Sequence, residues 1–479
     1  MDTVPQSNLL MFFVILYLLI TLAIWLYFAR KVKNSNDFIL SGRSLPLYII
    51  TATAFATWFW AETVIWTSWA VIEEWFLWII EDPFGVALCL ILIWVFFAKK
   101  LYNLNLTTLW DFYKLKYWRK VETVASIIII LSYFGWIAAQ MLALWKIINI
   151  VTWIETTYWI LISSSIVILY TVFWWMYSIA RVDFLQMIII VIWLFLVVFQ
   201  LTSAAWWIWT IFSQIPVWTF NIAPTLEPRE FLAWIAAWLT LWLGSIPQQD
   251  VYQRIMSAKS AKVAMWWSII AWLLYLTIAM IPAFLWITAS ILYPELVTSL
   301  WDNELVLTSM ILNNTNIFTQ IIFFWALLSA IMSTASWALL APSTILSENI
   351  IKPYFKDLSD KKFLLLTRYS VIVMAVLSLW FALTQWSVYE LVAWTYSLVL
   401  VTIFAPLAFW LYWSKASSLW AMLAMLMWWL VFIKMEYYSD WTFIVPALLM
   451  WLFASIVGMI FWSMLPKILH EKLTEKQNQ

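Results

Sequence analysis

The chain has 479 residues, 66% of them hydrophobic and 11% charged, with a formal net charge of +1. Apolar runs of the ~17–25 residues that cross a bilayer recur from end to end, so the chain reads as an all-α polytopic membrane protein. The runs do not alternate, which excludes a β-barrel, and the near-neutral balance gives no basis for a nucleic-acid partner. A single cysteine, Cys89, excludes disulfides and thiolate clusters, and a single histidine, His470, excludes a histidine-based metal site or proton relay.

The runs predict about thirteen spans. An N-terminal helix over 8–30 is too long for a signal-peptide core, and no small-residue cleavage site follows it. Spans over 46–72, 84–104, 121–150, 157–177 and 183–208 come next. A second group covers 230–251, 264–292, 316–347, 362–385 and 388–413, and two further helices cover 417–435 and 441–465. The polar segments between them are short, so 1–479 is expected to be a single transmembrane domain.

Basic residues set the orientation. They gather after the first span (Arg30, Lys31, Lys33, Arg43), the third (Lys99, Lys100, Lys114, Lys116, Arg119, Lys120), the fifth (Arg181), the seventh (Arg254, Lys259, Lys262) and the ninth (Lys352, Lys356, Lys361, Lys362). The loop over 293–315 has acidic residues but no Lys or Arg. The expected topology places the N-terminus outside and the C-terminus inside, in a bacterial cytoplasmic membrane.

Glycine is anomalous. There are five glycines and 42 tryptophans, where an ordinary share of about 7% glycine would give roughly 34. Trp pairs stand at 174–175, 206–207, 266–267 and 428–429, where turns or close helix contacts are expected. Small residues let membrane helices approach, whereas each Trp brings about 150–250 Å² of surface and an N–H that needs an acceptor. Most of these Trp are therefore read as UGA codons that the organism translates as glycine, with Trp58 and Trp413 as candidates for genuine Trp; the alternatives are a truly Trp-rich membrane protein and a deliberate redesign.

Two segments carry candidate chemistry. In the second span, Ala54-Phe55-Ala56-Thr57-Trp58-Phe59-Trp60-Ala61-Glu62-Thr63 becomes rich in small residues, and easily unwound, if Trp60, Trp66 and Trp69 are glycines. Non-helical backbone inside a bilayer is tolerated where protein or a water-filled cavity satisfies it. Its freed carbonyls are hard oxygen ligands for an alkali cation, and an ionisable Glu62 beside the break is a functional candidate. In the ninth span, Ser329-Ala330-Ile331-Met332-Ser333-Thr334-Ala335-Ser336 offers clustered hydroxyls. They can face a small cation or bond their own helix at i−4. Glu73, Glu74, Glu81 and Asp82, between the second and third spans, are expected to form a solvated outer loop.

Three stretches carry a resemblance. Ser41-Gly42-Arg43-Ser44-Leu45 resembles a GGRSL signature. Trp174 to Gln186, containing Asp183, resembles a GG…DxxQ signature if both leading Trp are glycines. Trp242 to Lys259, containing Gly244, Gln253 and Arg254, resembles a segment ending in QR…AKS. In combination they resemble the sodium/solute symporter family, which includes the proline and sodium/glucose carriers, over roughly the first eleven spans.

The resemblance implies two inverted repeats of five helices, 46–208 and 230–413, with the first helix of each broken near the midplane. It implies a sodium site of the carbonyls of Ala56, Phe59 and Ala330 with the hydroxyls of Ser333 and Thr334. It also implies a solute cavity for which Glu62, Gln248, Gln249 and Asp250 are candidates. Asp183 becomes a residue of the ion path or gate, its alternative being a carboxylate stabilised at a helix N-terminus. Trp58 stands where the proline branch has aspartate, which sets this chain apart from proline carriers.

The expected function is sodium-coupled symport of a small polar solute such as an amino acid, sugar or carboxylate, by alternating access. Sodium is the coupling ion and no cofactor is needed. A proton-coupled or uncoupled carrier of the same fold and a transport-like sensor are the alternatives. A membrane enzyme would need clustered carboxylates or histidines that the sequence lacks.

Overall fold

The computed structural model describes residues 4–29, 35–59, 63, 77, 79–152, short stretches within 164–171, 176–204, 208–299, 303–355, 357–383, 387–413, 418–419, 421–425 and 445–463. Among the described residues there is no strand, only an isolated bridge between Leu45 and Ala258. The helices that position the site are α1 (Val4–Ala29), α2 (Leu47–Trp58), α3 (Ile80–Leu104), α4 (Leu109–Lys116), α5 (Arg119–Thr152) and α6 (Met176–Ala204). They continue with α7 (Pro228–Gly244), α8 (Gln249–Ser257), α9 (Ala261–Leu292), α10 (Ile317–Ile345), α11 (Asp360–Ala382), α12 (Val388–Val399), α13 (Ala405–Tyr412) and α14 (Ala447–Ser463). Eight described segments are long and apolar enough to cross a membrane.

Their ends follow local chemistry. Thr108 and Asp111 form a capping box at α4, Ser387 and Glu390 another at α12, and Asn316 caps α10 by accepting the Thr319 amide. At the centre, α6 and α10 pack on α2, while α5 packs against α10, α11 and α12. The outer faces are apolar too. Ile192, Phe195 and Phe199 of α6, and Val373, Val376, Leu377 and Trp380 of α11, are exposed at helical spacing, as lipid-facing stripes require.

Two of the five glycines sit at close backbone approaches. A Cβ on Gly135 of α5 would lie 2.6 Å from the Leu391 carbonyl oxygen, and one on Gly244 would lie 2.7 Å from that of Tyr396. Both carbonyls belong to α12, so glycine is what lets α5 and α7 seat against it.

Among the described residues, two crossings are interrupted. Helix α2 stops at Trp58, and Phe59 leaves helical geometry at φ −87°, ψ 83°. The seventh crossing stops at Gly244, turns through Ser245, Ile246 and Pro247, and resumes at Gln249. Pro247 lacks an amide donor, and Gln248 is extended at φ −76°, ψ 138°. The start of α2 and the end of α8 are tied together: Leu45 N–H donates to Ser257 O at 3.0 Å, and Lys259 N–H to Leu45 O at 3.1 Å.

Several boundaries differ from the sequence expectation. The seventh crossing runs on to Ser257 instead of ending at 251, because the polar run after Pro247 is a buried amphipathic helix. The sixth starts at Met176, seven residues before the expected 183. The expected spans over 157–177 and 417–435 lie largely outside the described residues.

Candidate functional site

The broken end of α2 meets α10. The Thr334 hydroxyl lies 2.9 Å from Thr57 O and 3.0 Å from Ala330 O of its own helix. The preceding residue, Ser333, donates to Asp183 Oδ1 at 2.7 Å. Ala56, Phe59, Ala330, Ser333 and Thr334 are all buried. Phe59 is held by a ring stack on Phe55, centroids 5.2 Å apart. The structure thus brings the last turn of α2 against residues 330–334, where the sequence reading puts its oxygen ligands. Of the other hydroxyls there, Ser336 bonds back to Met332 O at 2.6 Å, and Ser329 meets Tyr17 of α1 at 2.6 Å.

Asp183 lies two turns inside α6, and no acidic residue occupies that helix's first turn. A helix-dipole role is therefore excluded, since the dipole effect is confined to the terminal turn. Its carboxylate is 1% exposed and is held by Ser333 and by the Trp337 indole N–H at 2.9 Å, both from α10.

Beside it, Arg254 of α8 is equally buried. It donates to Asp250 Oδ2 at 2.7 Å and to the Thr57 hydroxyl at 2.6 Å, and it stacks over the Trp337 ring at 4.1 Å. Asp250 Oδ1 accepts from the Tyr133 hydroxyl of α5 at 3.0 Å. One guanidinium thus links α2, α8 and α10, and through Asp250 reaches α5. Removing one partner of a buried pair typically costs about 3–5 kcal/mol because the other charge is stranded.

On the far side of the α2 break lies a second polar cluster. Asp82, at the start of α3, accepts from Tyr275 of α9 at 2.5 Å and from Thr63 at 2.8 Å. Both hydroxyls also reach the Trp58 carbonyl, at 2.9 and 3.1 Å. The expectation of a solvated loop is wrong here: Asp82 is 2% and Glu81 6% exposed. They belong to a run, Ile79-Ile80-Glu81-Asp82-Pro83-Phe84, that packs under α7 instead of facing water. Glu62, Glu73 and Glu74 lie outside the described residues.

The remaining predicted residues separate. Gln248 is buried at the second break with neither amide atom bonded to protein. Gln249 turns away and accepts the Leu109 amide at 3.0 Å, fixing the start of α4. Asp250 is committed to Arg254 and Tyr133. All three lie at the start of α8, directly after the turn at Ser245–Pro247. Sequence reading missed Arg254 and Tyr133 as site residues, the first because it resembles one more orientation charge. It also missed Thr63, Tyr275 and Asp82. The available signal for Asp82 was two acids in an apolar run with no lysine or arginine nearby.

A family model described as the sodium:solute symporter family matches residues 38–427. The chain is 26% identical over 412 residues to the high-affinity choline transporter 1 of Drosophila melanogaster, covering 82% of this chain and 65% of that protein. It is 27% identical over 413 residues to the high affinity choline transporter 1 of Homo sapiens, covering 82% and 71%. The fold matches a substrate-bound, outward-open Na+-coupled sialic acid symporter at a TM-score of 0.78 and 16% identity, over 96% of this chain and 98% of that one. It also matches a closed nucleobase-cation-symport-1 family transporter with bromovinylhydantoin bound, at 0.62 and 15% identity, over 90% and 96%.

Proposed function

The chain belongs to the sodium:solute symporter family, and on that premise we propose that it is a sodium-coupled symporter of a small polar solute, working by alternating access. The carrying observation is the end of α2 at Trp58 with Thr334 bonded to Thr57 O. Carbonyls at a helix end and hydroxyls on the facing helix are neutral hard ligands. They hold an alkali cation without a formal counter-charge and so let it leave again.

In this reading Ala56, Phe59, Ala330, Ser333 and Thr334 bind sodium, and Asp183, bonded to Ser333, lies on its exit path. The repeats are 46–208 and 230–413, each opening with a broken helix, the arrangement that places ion and solute at the midplane. The basic loops support an N-terminus outside and a C-terminus inside a bacterial cytoplasmic membrane. The Leu45–Ala258 bridge and the Arg254 network then close the inner side. Sodium binding across α2 and α10 favours one arrangement of the helix groups over the other, which coupling requires. Each entering ion contributes about 2.3 kcal/mol per 100 mV.

Gln248 is the best-supported solute contact of those expected, since a buried amide without protein partners is costly unless a ligand or water meets it. Gln140 is buried and unbonded in the same way, and lies two turns from Tyr133 on the same face of α5. The choline transporters among its relatives make a small quaternary ammonium compound the first solute to test.

The experiment is uptake of labelled choline, then of amino acids and sugars, into proteoliposomes at fixed pH. We expect accumulation only with an inward sodium gradient. The Ser333→Ala, Thr334→Ala double variant should lose at least tenfold in apparent sodium affinity, about 1.4 kcal/mol. Uptake driven equally well by a proton gradient without sodium, or a variant with unchanged sodium dependence, would refute the reading.

A further inference from the structure

The oxygen cluster on the other side of the α2 break is short of protons. Five atoms converge: Trp58 O, Thr63 Oγ1, Tyr275 Oη and both carboxylate oxygens of Asp82. They make five oxygen–oxygen contacts, Thr63 to Trp58, to Asp82 and to Tyr275, and Tyr275 to Trp58 and to Asp82, at 2.5–3.1 Å. Each hydroxyl supplies one proton and an ionised carboxylate none, so the two protons serve only two of the five contacts. Oxygens drawn together without hydrogens between them repel, and what reconciles them is a positive charge in their midst.

We propose that these atoms form a second cation site, taking one sodium ion on the side of the α2 break away from Thr334. Its donors come from three helices: a main-chain carbonyl where α2 ends, a carboxylate at the start of α3, and a phenol midway along α9. Thr63 completes the set from beyond the break. The donors are all hard oxygens, and Asp82 brings the negative charge that sites built of neutral oxygens lack.

Size selects the occupant. Ions of calcium's radius, which sodium shares, take oxygens at about 2.3–2.6 Å. The present spacings need only a modest outward shift to accept one. A methylated ammonium head keeps oxygens at about 3.3–3.6 Å from each methyl carbon, and a cage this tight has no room for it. The end of α2 joins the two sites, with Thr57 O facing Thr334 and Trp58 O facing Tyr275, so an ion at either one orders the same broken segment.

The proposal rests on the sodium-coupled reading, and its test separates the two. Binding of 22Na+ to the full-length protein in lipid nanodiscs, without solute, reads each site directly. We expect about two ions per chain, falling to about one in Asp82→Asn and in Tyr275→Phe. The Ser333→Ala, Thr334→Ala variant should likewise keep about one, and the combination should keep none. In uptake, the Hill coefficient for sodium should fall from about 2 to about 1.

Tyr275→Phe retains the ring and its packing, so it decides the matter if Asp82→Asn does not fold. Unchanged sodium binding in Tyr275→Phe overturns the second site. So does full sodium binding in Asp82→Asn with solute binding lost, which would assign the carboxylate to the solute. Loss in the Ser333–Thr334 variant alone overturns this site and leaves the first standing. Loss in the Asp82 and Tyr275 variants alone does the reverse. A parent protein that binds no sodium overturns both.

Discussion

Single residues decide most of the polar energetics. Asp82, Asp183 and Arg254 are each buried within crossing segments, where an unpaired charge is expensive. Each is held by hydrogen-bond partners from elsewhere in the chain: Tyr275 and Thr63 at Asp82, Ser333 and Trp337 at Asp183, and Thr57 at Arg254. Tryptophan shows the opposite. The indole N–H groups of Trp110, Trp193, Trp238, Trp242 and Trp267 are buried with no acceptor, each a penalty of about 1–3 kcal/mol. Glycine at those positions removes both the orphan donor and the ring. Peptide mass spectrometry of protein from the native organism should therefore find glycine at 266 and 267. Tryptophan at both positions would refute the codon reading. Trp58 is different in kind: its carbonyl anchors the Asp82 cluster, a role independent of its side chain.

At the scale of elements, the two interruptions and the close approach of α5 and α7 to α12 are linked. Gly244 ends α7 against the Tyr396 carbonyl of α12, so the second break opens at a close helix contact. Gly135 gives the corresponding seat on α5. Its Cβ would meet main chain at 2.6 Å and the Thr395 hydroxyl at 2.7 Å, and a backbone carbonyl does not swing aside. Gly135→Ala should thus force α5 from α12 at about 1–3 kcal/mol, read as a lower melting temperature in detergent. An unchanged melting temperature would show that this seam has slack.

Across the whole molecule, the Arg254 network and the Leu45–Ala258 bridge pull α2, α5, α8 and α10 together on one side of the breaks. Breaking it should favour the opposite arrangement. In a Cys89→Ser background, Thr53→Cys places a thiol on the turn of α2 whose Thr53 carbonyl lies 3.5 Å from the Arg254 guanidinium. Arg254→Ala should raise labelling of that thiol from the cytoplasmic side severalfold, and sodium should protect it in the parent. Equal labelling in both would mean the network does not hold this side shut. Arg254→Lys should be intermediate, since an ammonium keeps the charge but cannot fork between Asp250 and Thr57.

What could be read from the sequence rests on short-range physics. Apolar run length gave the helical membrane class, and flanking basic residues supported an orientation. The break after Thr57 was legible only on the condition that Trp60, Trp66 and Trp69 are glycines, and the break at Gly244 only through the family resemblance, because a helix in lipid gives way where side chains leave room. The hydroxyl run at 329–336 was visible too, but not which of its members face α2, α6 or α1. That depended on helix rotation, which only packing fixes. The same holds for charge. Arg254 and Asp82 look like boundary residues in one dimension, and folding turns both inward, toward partners 197 and 193 positions away in Thr57 and Tyr275. Composition determines which groups must avoid lipid, and tertiary structure decides which other groups they meet when they do.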